Sequence, residues 1–105
     1  MSERVLTPWG VADRVTEVAP GIVAYSTPSH GGLRVSPERW AEMPAALRRI
    51  SAESRYHGGE RWFEEDCEWA AVAVAFPSAF EASELESARG ILRSVYPDAA
   101  REVLS

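Results

Sequence analysis

Residues 83–96 carry Leu85, Ala88, Ile91, Leu92 and Val95 at helical spacing, and this one-sided apolar stripe limits what the chain can become. A helix of that kind persists in water only when its stripe is covered by another layer. The cover must come from within 105 residues, a length that supports one core and not two. A single domain over 1–105 is therefore expected, with its core in residues 7–99.

The N-terminal third supplies a sheet. Thr7-Pro8-Trp9-Gly10 is turn chemistry around one aromatic, suited to plugging an end of the core. Arg14 to Val18 alternates polar and apolar residues, Ala19-Pro20-Gly21 is a turn, and Ile22-Val23-Ala24-Tyr25 is β-rich, so the two runs predict a hairpin. Thr27-Pro28-Ser29-His30-Gly31-Gly32 breaks the pattern as a loop, and Leu33-Arg34-Val35 fits a third strand.

Helices follow. Ser36-Pro37-Glu38 is a helix start, with Ser as N-cap and Pro at the first helical position. Trp40, Met43, Leu47 and Ile50 recur at helical spacing, and Pro44 predicts a kink or two short helices sharing one buried side. Tyr56-His57-Gly58-Gly59-Glu60 resembles a turn leading into Arg61-Trp62-Phe63. Residues 69–76 alternate Ala and Val as a buried strand would. The preceding acids and the stripe Trp69, Val72, Ala73, Phe76 favour a helix instead. Capping-box patterns stand at Ser78–Glu81 and Ser83–Glu86, and Tyr96-Pro97 closes the last long helix. The expected fold is α+β: an antiparallel sheet of about three to four strands against two to four helices.

Composition excludes several classes. All 11 basic residues are arginine, and Asn and Gln are absent, a pattern of GC-rich coding. The net charge of −5 disfavours direct nucleic-acid binding, which needs a basic face. The longest apolar run, Trp69 to Pro77, is far short of the roughly 20 residues that span a bilayer. Met1 to Leu6 has no apolar signal region, and the single cysteine, Cys67, suits a reducing compartment. A cytoplasmic protein without membrane contact is expected.

Three features have chemical potential. His-Gly-Gly occurs at 30–32 and at 57–59. Glycine pairs permit close backbone approach and histidine titrates near neutrality, but the same segments serve equally as turns. With Asp66 and Cys67 the histidines have the inventory of a metal site or a Cys/His pair. No CxxC, HxxxH or HExxH spacing is present, and no metal or cofactor is expected. Cys67 lies between Asp66 and Glu68, whose charge disfavours a thiolate. Finally Glu60, Glu64, Glu65, Asp66 and Glu68 form an acidic cluster flanked by Trp62 and Trp69. It is either a solvated helix start or a surface that competes for a basic partner, tryptophan being enriched in binding hot spots.

Thr7-Pro8-Trp9-Gly10, Ala19-Pro20-Gly21-Ile22, Ser26-Thr27-Pro28-Ser29-His30-Gly31-Gly32, Ser36-Pro37-Glu38-Arg39, Trp62-Phe63-Glu64-Glu65-Asp66-Cys67-Glu68-Trp69 and Tyr96-Pro97-Asp98-Ala99 occur in that order. In these segments the chain resembles an uncharacterised family of short proteins carried on bacterial plasmids, integrative elements and phages. The resemblance spans about residues 7–99 and implies a mobile-element setting without an activity to carry over.

The leading expectation is a non-enzymatic protein-binding module, an inhibitor of a bacterial defence system of anti-CRISPR or anti-restriction type. Its partner would be a host or phage protein with a basic surface. The expected contact residues are Ser29, His30, Gly31, Gly32, Trp62, Glu64, Glu65, Asp66 and Trp69. Two alternatives stand beside it: a small enzyme using His30, His57, Asp66 and Cys67, and a structural homodimer joined through exposed aromatics.

Overall fold

The computed structural model describes residues 5–55 and 59–104. The chain begins with a two-stranded hairpin, β1 (Leu6–Thr7) and β2 (Gly10–Val11), whose turn is Pro8-Trp9. Thr7 Oγ1 donates to the Gly10 carbonyl (2.7 Å) and accepts from the Trp9 N–H (3.1 Å), locking the tryptophan at the tip.

The main sheet is an antiparallel array in the order β3-β4-β5-β6. β3 (Arg14–Ala19) and β4 (Ile22–Ser26) are joined by Pro20-Gly21. Gly21 has φ 81°, the positive value required at the second central position of a type II turn. Val18 is an extra residue between the pairs Glu17↔Val23 and Ala19↔Ile22, a bulge of the kind that bends edge strands. β5 is Gly31–Val35 and not Leu33–Val35. Both glycines expected in a loop are strand residues, paired Gly31↔Ser26 and Gly32↔Tyr25. β6 (Trp62–Glu64) completes the sheet with Leu33 opposite Phe63.

Two helices connect β5 to β6. Ser36 Oγ accepts the Arg39 N–H (3.1 Å) and caps α1 (Pro37–Glu42). Pro44 separates α1 from α2 (Ala45–Ala52), giving two short helices. After β6 come α3 (Trp69–Ala75), a 3₁₀ turn (Pro77–Ala79), α4 (Ala82–Val95) and α5 (Pro97–Val103). Helix is thus the state of residues 69–75. Five helices stand among the described residues, more than the two to four expected. Pro44 and Pro97 each divide a run that a ring without an N–H cannot continue.

The core lies between one side of the sheet (Ile22, Leu33, Val35, Phe63) and apolar residues of the helices, including Met43, Leu47 and Leu92. α3 touches β5, β6, α2 and α4. A helix enclosed on so many sides needs small side chains, and Ala70, Ala71 and Ala73 are fully buried. The α4 stripe buries Ala88 and Leu92, while Val95 runs past the core and remains 48% exposed. Neither serine-led capping box forms. Glu81 is the N-cap of α4, and Glu84 reaches back to accept the Glu81 N–H (2.9 Å). No helix among the described residues is long and apolar enough to cross a membrane.

Candidate functional site

The β6–α3 junction divides the acidic cluster into buried and exposed members. Glu64 is 1% and Glu68 2% exposed, whereas Glu65 and Asp66 face solvent. The expected surface position of Glu64 is therefore corrected. It ends β6, whose strand packs against α2 and α3, and Glu65 to Glu68 turn the chain into α3. Glu68 Oε1 accepts the Glu64 N–H (2.9 Å), its Oε2 accepts the Ser54 hydroxyl, and Glu64 Oε1 accepts the Asp66 N–H (2.9 Å). These bonds close the turn from within.

Burial pushes the Glu64 carboxyl above its ordinary value of 4.5, and the Asp66 carboxylate beside it acts in the same direction. The native state thus holds this proton to higher pH than the unfolded chain. The stabilisation linked to it is complete below about pH 4.5 and is lost as pH rises through the native pKa. Glu64→Gln cannot ionise but keeps an acceptor for the Asp66 amide. Denaturant titrations from about pH 4 to about pH 8 should show the variant gaining on wild type as pH rises across that window. Parallel profiles would remove Glu64 from the account.

Cys67 is half-buried, and its thiol is pushed above 9.0 by burial and then by the charges of Glu64, Asp66 and Glu68. A nucleophile needs the opposite shift. His30 makes its hydrogen bonds through the backbone: its carbonyl accepts the Thr27 N–H (2.8 Å) and hydroxyl (2.6 Å), and its N–H donates to Thr27 Oγ1 (3.1 Å). These bonds close the exposed tip Thr27-Pro28-Ser29-His30. Among the described residues, no three His, Cys, Asp or Glu side chains converge as a metal site would. His57 lies outside the described residues.

The tip of the β4–β5 hairpin abuts the β6–α3 turn. The Glu65 N–H donates to the Gly31 carbonyl (3.0 Å). A Cβ on Gly31 would lie 2.8 Å from Glu65 Oε2 and 2.7 Å from the Tyr25 carbonyl. Glycine is required there for close approach, a reason the loop reading missed. Beside this contact opens a groove of about 340 Å³ whose apolar lining includes Ala24, Leu33, Trp69 and Phe80 and whose acids are Glu65 and Glu84. The Trp69 and Phe80 rings are 6.3 Å apart and tilted by 41°.

The structure thus joins Gly32, Glu65 and Trp69 in one groove, with Gly31 against Glu65. It does not place Trp62 there. Trp62 pairs with Arg34 on the sheet's other side, against Trp9 and Tyr25. Phe80 and Glu84 were not anticipated as contact residues. The only sequence signal for Glu84 was its place in a capping pattern, a structural role.

No curated protein and no solved structure matches this chain. One family model covers residues 2–105, that of a domain of unknown function (DUF7007), and the chain belongs to that family.

Proposed function

We propose that this domain is a non-enzymatic protein-binding module whose acidic groove receives a basic side chain of its partner. The supporting observation is the convergence of Glu65 and Glu84 on a groove lined by Trp69 and Phe80. A guanidinium or ammonium on an aliphatic stem suits such a lining: the stem covers the rings and the head meets the carboxylates. In the mobile-element setting implied by the resemblance, the partner is a host or phage protein with a basic surface, and the outcome is inhibition of a defence system.

The test uses a defined probe. A short capped peptide with one arginine between two leucines should shift the Trp69 indole and the Glu65 and Glu84 amide signals in a saturable way. The double variant Glu65→Arg, Glu84→Arg should bind it at least about tenfold more weakly, and the peptide carrying glutamate instead should not bind. Equal binding by wild type and the double variant would sink the proposal. Affinity capture with the same pair of proteins would then identify the partner.

A second reading, the structural homodimer, draws on β3. This strand is one edge of the sheet, and Val15 on it is 50% exposed. Its charges and its bulge are devices that discourage edge pairing. Light scattering showing a monomer at high micromolar concentration would exclude the dimer.

A further inference from the structure

The side of the sheet away from the helices carries Arg34 and, one strand beyond Val23, Glu17 of β3. Cross-strand register sets Val23, Arg34 and Trp62 in one row on β4, β5 and β6, so their side chains share a face. The Arg34 guanidinium lies 5.0 Å from the Trp62 ring centroid. Tyr25 (5.2 Å) and Trp9 (5.6 Å, edge-on) hold that ring in place. Arg34 is therefore fixed against an aromatic wall, and its Nε is buried without a hydrogen-bond acceptor.

Arg61 joins it at the end of β6. Its φ of 75° is positive, an unusual state for a long side chain that persists only where the surroundings enforce it. Two bonds to Val35 do so: Arg61 Nη1 donates to the Val35 carbonyl (3.0 Å), and the Arg61 carbonyl accepts the Val35 N–H (3.0 Å). Arg34 and Arg61 both line a depression of about 240 Å³, together with Tyr25, Val23 and Ser36. Among the described residues neither arginine has a carboxylate at ion-pair distance, although the chain has 16 acids.

We propose that this depression is a binding site for a small oxyanion, a carboxylate or phosphate borne on a compact molecule. The arginine fork matches both groups by paired N–H donors. The Arg34 and Arg61 guanidinium groups would pair with the anion, and Tyr25, which lines the same depression, would cover the body carrying it. A volume below that of ordinary drug-sized pockets limits the ligand to a few heavy atoms beyond the anion. The net charge of −5 opposes a polyanion spread over the surface, but not one small anion held locally.

The probes are sodium phosphate, phenyl phosphate and sodium acetate, with sodium chloride at equal ionic strength as control. The readouts are the Arg34 Nε–H and Trp62 indole N–H signals in ¹⁵N-labelled protein. At least one oxyanion should shift both in a saturable way while chloride shifts neither. Acetate alone acting would assign a carboxylate ligand, and phosphate or phenyl phosphate alone acting a phosphate ester. Arg61→Gly removes one donor and relieves the positive φ, so it should raise the melting temperature by a few degrees while weakening anion binding about tenfold. Shifts equal to those from chloride, no saturable shift from any probe, or unchanged anion affinity in Arg61→Gly would each overturn the proposal.

Discussion

Gly32→Ala is expected to destabilise the domain by about 3 kcal/mol, the upper end of the range for inserting one carbon into packed structure. Gly32 lies in β5 between Tyr25 and Glu64, and the Trp9 ring sits against it. A Cβ there would fall inside van der Waals contact of both the Trp9 ring and the Phe63 carbonyl. The carbonyl belongs to β6 and cannot yield without parting the strands. Trp9 is held by its tight turn and packs edge-on against Trp62. The strain must therefore spread β5 from β6 or expel the ring. Urea denaturation should show the loss, and the near-ultraviolet circular dichroism of the tryptophan pair should weaken. Gly90→Ala is the control. It lies within α4, where an added Cβ meets nothing within 4 Å, and should stabilise by about 0.5–1 kcal/mol. Equal effects from the two substitutions would show that packing at Gly32 does not govern the outcome.

Glu68→Ala is expected to cost about 3 kcal/mol, because buried hydrogen-bonding groups left without a partner lose roughly 1–3 kcal/mol each. The carboxylate joins three segments: Ser54 after α2, the Glu64 amide ending β6, and its own position before α3. Its removal leaves the buried Glu64 N–H without this acceptor. Glu68→Gln keeps one oxygen in place and should cost less. Glu64→Gln changes stability in the opposite direction at neutral pH, since it removes a buried charge while keeping the contact. Opposite signs for two neighbouring glutamates would separate an acid that holds the turn together from one that strains it. A Glu68→Ala stability within error of wild type would show that the β6–α3 turn closes without this side chain.

Much of the fold was legible in adjacent residues. Pro20-Gly21 specified its own turn, Ser36-Pro37 its own helix start, and Pro44 its own break, since each acts through φ or a missing N–H within a few residues. The helical state of residues 69–75 followed from the stripe of Trp69, Val72 and Ala73. Gly31 and Gly32 misled because two glycines are local turn chemistry. Their tolerance of close neighbours matters only once Trp9, Glu65 and the Phe63 carbonyl arrive from distant parts of the chain. The cap of α4 differs for a local reason: Glu81 and Glu84 form the capping box three residues apart, in place of the serine-led patterns.

The candidate site divides along the same line. Glu65 and Trp69 were recognisable as an acid and an aromatic near one another in sequence, and both line the groove. Glu64 and Trp62 shared that signal, yet one is buried and the other lies on the reverse of the sheet. The Pro20-Gly21 turn, the Ser36 cap and the Pro44 break were determined by the sequence alone, because backbone torsions and hydrogen bonds between near neighbours set them. Tertiary structure decided which acids face water, which tryptophan joins the groove and which arginines stand without a carboxylate among the described residues. Strand register and helix packing assign each side chain to a face, and that assignment depends on residues far along the chain.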